Sequence, residues 1–165
     1  MSSTAIQQSV PRTFWQKLRP WLPTLLWLAA IAAFSSDSFS AEHTGGILWK
    51  VLTTLFPGIT QPTFDVIHFF VRKGAHFGVY GVLSWFAYFS WRATLRSRAR
   101  WRFQWSGLAL LTVLIAASLD EFHQSFVPSR TASPRDVLLD MMGALFFQIL
   151  IASFTSFAVK KFAAK

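Results

Sequence analysis

Four apolar stretches, kept apart by connections that hold most of the charge, constrain this chain more than any other feature. They are Trp21–Phe34, Ala75–Trp91, Trp105–Leu119 and Val137–Phe157, the last interrupted only by Asp140, Gln148 and small hydroxylated residues. Each can be extended to the ~20 residues that a helix needs to cross ~30 Å of hydrocarbon, the first by bringing Ser35 and Ser36 to the interface. A soluble domain of this size would carry about 25% charged residues. This one carries 14%, beside 18 Phe and 8 Trp. The expectation is an all-α, polytopic membrane helix bundle with about four transmembrane helices. At 165 residues it forms a single domain.

The basic residues sort by side. Eleven of the 16 Lys and Arg fall in the N-terminal arm (Arg12, Lys17, Arg19), in the connection after the second span (Arg92, Arg96, Arg98, Arg100, Arg102) and at the C-terminus (Lys160, Lys161, Lys165). No acid lies among them, whereas every Asp, Glu and His falls toward the other side. Because cytoplasmic segments are enriched in Lys and Arg, both termini are expected in the cytoplasm. Residues 1–20 then form a cytoplasmic arm, 21–159 the membrane domain and 160–165 a cytoplasmic tail. A cleavable signal peptide is the rival reading of the first span, but its basic region is long, aromatic and contains two prolines.

The first outer connection has helical character of its own. In Gly46–Phe56 the residues Ile47, Leu48, Val51, Leu52 and Leu55 recur at helical spacing opposite Lys50, Thr53 and Thr54, which predicts an interfacial amphipathic helix. Pro57-Gly58 ends it, and a second helix starts near Pro62-Thr63 and continues into the membrane. The arginine-rich stretch Arg92–Trp105 reads as a topology signal resting on anionic headgroups, so no nucleic-acid partner is expected. Cysteine is absent, which excludes disulfides, thiolate metal sites and a Cys nucleophile. The commoner nucleotide, hydrolase and metalloprotease signatures are absent as well. No cofactor and no metal are expected.

Ionisable side chains are costly inside hydrocarbon, about 2.5–3.5 kcal/mol each at a helix centre, so those near the spans need partners or water. Lys73, His76, Tyr80 and Ser84 lie on one stripe of the second membrane helix. On the third, Asp120 reaches His123 at i+3 and Gln124 at i+4, with Glu121 alongside. On the fourth, Asp136, Asp140 and Gly143 share a face. All three stripes approach the outward boundary, which predicts one polar cavity there, with Arg130 held over it by the connection 127–135. The adjacent acids Asp120 and Glu121 repel each other, so either Lys73 and Arg130 are their natural counter-ions or one of the two acids holds a proton. Asp136 is expected to pair with Arg130 or Arg135, and Ser133 to cap the fourth helix with Pro134 at its first position. The expected binding residues are therefore Lys73, His76, Tyr80, Asp120, Glu121, His123, Gln124, Arg130, Asp136 and Asp140, with Asp120, Glu121 and His123 the candidates for any catalysis. Gly74, Gly78 and Gly81 are read as a close-packing face within the monomer.

Two strings carry a resemblance. Arg72-Lys73-Gly74-Ala75-His76-Phe77-Gly78-Val79-Tyr80 resembles the Lys-x-x-His-x-x-x-Tyr segment of the VanZ-like family of bacterial membrane proteins. The run from Asp120-Glu121 through Gln124 and Arg130 to Asp136 is similar to that family's Asp-Glu-x-x-Gln…Arg…Asp segment. The Phe34-Ser35-Ser36 ending of the first span also fits. Two departures stand out: Val79 where the family often has Glu, and Asp140 where it often has Asn. The resemblance implies a polytopic bacterial inner-membrane protein of the envelope, akin to an accessory factor of teicoplanin resistance, which names a process but no reaction.

Three functions compete. The first is an envelope factor whose outward cavity binds a lipid-linked precursor, a lipid headgroup or a lipophilic antibiotic, since apolar walls with a few convergent polar groups suit an amphiphile. The second is a membrane hydrolase or transferase using Glu121 or Asp120 as base and His123 as acid/base partner. The third, a proton-coupled carrier, is disfavoured by the small span count and the absence of an internal repeat. Membrane lipids are the expected partners, and the sequence leaves the oligomeric state open.

Overall fold

The structure, a computed structural model, describes residues 13–36, 41–95, 102–127 and 133–163. Its elements are α1 (Phe14–Leu18), a 3-10 turn (Arg19–Trp21), α2 (Leu22–Phe34), α3 (Ala41–Leu55), α4 (Gln61–Thr94), α5 (Phe103–Gln124) and α6 (Pro134–Ala163), with no strand among the described residues. The starts follow local chemistry. Thr13 caps α1 in a reciprocal box with Gln16, Pro23 sits in the first turn of α2, and Thr60 in extended geometry precedes Gln61-Pro62 at the start of α4. The amphipathic helix begins at Ala41, earlier than the Gly46 read from its apolar spacing, and carries Gly45 inside it, where that residue meets the His68 ring. The helix expected to start near Pro62-Thr63 and to run on without a break is one 34-residue element, α4.

Helix α4 is the hub. It packs most extensively on α6, then on α5 and α2, while α3 touches its first half. Directions follow from the cross-links. Lys73 meets Asp136, His76 meets Asp140 and Gln148 meets Ser84, so α4 and α6 run parallel. Tyr80 meets Asp120 and Trp91 meets Thr112, so α5 is antiparallel to both. Thr24 meets Ser90 and the Trp27 indole donates to the Val79 carbonyl at 2.9 Å, which makes α2 antiparallel to α4.

Small residues let these helices approach. Ala87, Ala109, Ala117 and Ala144 are buried between larger neighbours such as Tyr80, Leu83, Tyr88, Trp105 and Val113. Two glycines are sterically required. A Cβ on Gly143 would fall on the backbone carbonyl of Phe77, and one on Gly81 would enter the ring of Phe147. The expected packing face of Gly74, Gly78 and Gly81 is thereby corrected to Gly81 alone, since an added Cβ meets nothing within 4 Å at Gly74 or Gly78.

Polarity is inverted relative to a water-soluble bundle. Leu111, Leu114, Ile115 and Leu119 of α5, and Leu138, Met142, Leu145 and Ile149 of α6, face outward, whereas Glu121, Asp140 and Gln148 are buried. Phe103–Gln124 and Pro134–Thr155 are each long and apolar enough to cross a membrane. An apolar outer surface of this extent is stable against lipid and unfavourable in water.

Overpacking should separate the glycines. Gly143→Ala is expected to lower the unfolding midpoint in detergent by the equivalent of about 1–3 kcal/mol. Gly78→Ala, having room, should be neutral or stabilising by up to about 1 kcal/mol.

Candidate functional site

The stripe on α4 is answered residue by residue by its two neighbours. Lys73 pairs with Asp136 in the first turn of α6. One turn further in, Nδ1 of His76 lies 3.2 Å from Oδ1 of Asp140, whose side chain is 1% exposed. The Tyr80 hydroxyl donates to Oδ2 of Asp120 at 2.8 Å, and Nε2 of Gln124 donates to the same oxygen at 3.0 Å. Deeper still, the Gln148 amide donates to the carbonyl and hydroxyl of Ser84 at 3.1 and 2.7 Å. The rings of His76 and Tyr80 stack with centroids 6.4 Å apart. Every member of the stripe is thus bonded to α5 or α6, as groups withdrawn from water must be.

The start of α6 adds an acid from α5. Oε2 of Glu121 accepts the Ser133 N–H at 2.7 Å, and the Ser133 hydroxyl accepts from the N–H of Arg135 at 3.3 Å, with Pro134 opening the helix. A carboxylate beside a helix N-terminus is favoured by the macrodipole. Glu121 is only 8% exposed, and its Oε1 has no partner among the described residues.

Two assignments read from sequence are corrected here. Lys73 neutralises Asp136 and not the Asp120–Glu121 pair, because the parallel register of α4 and α6 brings Asp136 to it. Asp136 accordingly pairs with Lys73 and not with Arg135. The structure draws Lys73, His76, Tyr80, Asp120, Glu121, Gln124, Asp136 and Asp140 to one end of the bundle. His123 is not among them: its side chain is exposed, while Glu121 and Gln124 on the same turn are buried. Arg130 lies outside the described residues. Among the described residues no group of three His, Asp or Glu side chains is arranged to hold a metal ion.

Beside this cluster is a cavity of about 330 Å³ between α2, α3, α4 and α5. Ile31, Phe34, Leu48, Val71, Ala75 and Val79 form apolar walls, and Tyr80, Asp120 and Gln124 close one end. Four further polar residues line it that the sequence reading did not single out: Ser35, Thr44, His68 and Arg72. A signal for two of them exists. His68, Arg72, His76 and Tyr80 are each four residues apart, a second polar stripe sharing two members with the first. A wider groove on the other flank of α4 is lined by Lys73, Asp136, Arg135 and Ser133, and shares His68, Arg72 and His76 with the cavity.

With this geometry set, the relation to known proteins can be placed. Residues 13–155 match the VanZ/LLP1 family, from the α1 cap to the last buried turns of α6. The chain belongs to that family. No significant match was found among curated proteins or among solved structures. For this VanZ-family chain, membership and the two apolar helices together point to a membrane protein. The Lys73–Tyr80 and Asp120–Asp136 strings both lie within the matched region, and together they supply the paired groups of the cluster.

The His76–Asp140 pair allows a stability test. His76→Leu leaves a buried carboxyl without its partner and should destabilise by about 1–3 kcal/mol. The double replacement His76→Leu with Asp140→Leu should recover much of that loss, since removing both partners of a buried pair is better tolerated than removing one. Thermal unfolding of the three proteins in one detergent is the check.

Proposed function

We propose that this protein is a bacterial envelope factor of the inner membrane that binds an amphiphile: a lipid-linked precursor, a lipid headgroup or a lipophilic antibiotic of the teicoplanin kind. The observation carrying this reading is the cavity of about 330 Å³ in which apolar walls meet a convergent polar end. In this reading α2, α4, α5 and α6 cross the bilayer, both termini are cytoplasmic, and the cavity faces outward. The distribution of residues along the bundle supports it. Arg19, Arg92 and Arg102 gather at the end opposite the carboxylates, with Trp21 packed on Trp91 at 4.9 Å and Arg92 lying over the ring of Trp105 at 5.8 Å. Trp suits either membrane interface, and an excess of basic residues favours the cytoplasmic one. The interfacial role of α3 is supported by the exposure of Ile47, Val51, Leu55 and Phe56 along one side of that helix and its end.

The alternative is a membrane hydrolase or transferase acting on an extracytoplasmic lipid or peptidoglycan intermediate. Buried Glu121, with one oxygen unengaged among the described residues, favours it. The proposed partnership of Glu121 with His123 loses support, because one is buried and the other exposed.

Two measurements test these readings. The absence of native cysteine makes single-cysteine labelling clean. An impermeant maleimide added to intact cells should modify Gly58→Cys and Ser125→Cys and spare Leu95→Cys; the reverse pattern would invert the topology. Native mass spectrometry of protein extracted from membranes should show a retained amphiphile that is released chemically unchanged. Conversion of that molecule on incubation, abolished by Glu121→Gln, would select the enzymatic reading.

A further inference from the structure

The cavity is not symmetric in charge. Two formally charged side chains line it, Asp120 and Arg72. Asp120 is answered by the Tyr80 hydroxyl and the Gln124 amide. Arg72 pairs with no acid among the described residues, although its neighbour Lys73 is committed to Asp136. With a rise of about 1.5 Å per residue, Arg72 and His68 stand about 12 and 18 Å along α4 from Tyr80, so cation and carboxylate occupy opposite ends of the cavity.

The Arg72 end also holds two unsatisfied polar atoms. Ser35 is 3% exposed and lines the cavity, yet its hydroxyl has no hydrogen-bond partner among the described residues, and neither does Nε2 of His68. Buried polar atoms are rarely left this way. The His68 ring is fixed in place, stacked on Phe64 at 5.5 Å and pressed against Gly45, where a Cβ would stand 3.1 Å from its Cε1. A guanidinium, an imidazole and a hydroxyl that lack internal partners make a donor set suited to an anionic oxygen cluster. The adjoining walls Ile31, Phe34, Val71 and Val79 suit hydrocarbon.

We infer that the cavity between α2, α3, α4 and α5 is a site for an anionic amphiphile, with a phosphate-type head held by Arg72, His68 and Ser35 and its hydrocarbon chain against the apolar walls. This rests on the amphiphile-binding reading above and narrows it to a charge class. The Tyr80–Asp120–Gln124 end positions the ligand by repelling the head toward Arg72. His76 forms part of the wall and keeps its bond to Asp140 on α6.

The test uses the full chain in a non-ionic detergent and three probes: octadecyl phosphate, octadecanol and inorganic phosphate, with binding read by native mass spectrometry and by tryptophan fluorescence. Octadecyl phosphate is expected to bind at least about tenfold more tightly than octadecanol, as a charge-assisted contact implies. Arg72→Gln should remove that advantage and leave octadecanol unchanged, while Arg72→Lys, which keeps the charge without the fork, should retain part of it. If Arg72→Gln fails to give monodisperse protein, His68→Asn and Arg72→Lys carry the comparison, each expected to weaken octadecyl phosphate selectively. Equal binding of the two chain probes by the wild type, indifferent to Arg72→Gln, would overturn the assignment of the head while leaving amphiphile binding intact. Binding of neither would overturn both readings. Inorganic phosphate binding as tightly as octadecyl phosphate would overturn the hydrocarbon half and make this a free-anion site.

Discussion

Polar groups on the inner face of an apolar helix have to be answered by neighbouring helices, and α4 meets that requirement with a chain of bonds from Lys73 to Ser84. The partners are Asp136, Asp140 and Gln148 on α6 and Asp120 on α5. In lipid there is no water to substitute for a missed partner, so these bonds specify register as well as strength. Sliding α6 by one turn would leave either Lys73 or His76 without its acid, according to the direction, and would bring Leu139 or Phe147 against the Phe77 carbonyl in place of Gly143. The parallel alignment of α4 and α6 and the opposed direction of α5 then follow from the same contacts.

That alignment creates the chemistry at one end of the bundle. Paired groups form a rigid polar cluster, while groups on the adjacent face of α4 are left without internal partners and border a cavity with apolar walls. His76 and Tyr80 belong to both faces, so the cluster is also the wall of the cavity. A change in either residue acts on fold and site together, whereas Arg72 touches the site with little structural duty. The outer surfaces of α5 and α6 remain apolar, consistent with helices that face lipid.

Much of this was visible in residue spacing, and its limits are instructive. The Lys73–His76–Tyr80–Ser84 stripe and the Asp136–Asp140 stripe follow from helical periodicity alone. The partner of Lys73 does not, because Asp120, Glu121 and Asp136 are all near it by topology and only the α4–α6 register chooses. His123 and Gln124 illustrate the same limit. Both are within reach of Asp120 along the helix, but one helical residue turns about 100°, and the packing of α5 buries Gln124 and exposes His123. His68 and Arg72 precede the apolar stretch Ala75–Trp91, and it is the length and packing of α4 that place them on the cavity wall.

The amino-acid order alone determines that the chain is helical, where its long apolar helices lie, which end of the bundle gathers acid and which gathers base, and to which family it belongs, since these depend on local spacing and composition. Tertiary structure decides which carboxylate meets which cation, which glycines must stay glycine, and that a cavity with an unanswered arginine lies beside a cluster cross-bonded between α4, α5 and α6. Those outcomes depend on the rotation and offset of one helix against another, quantities set by how side chains interlock across an interface and not by periodicity within a single helix.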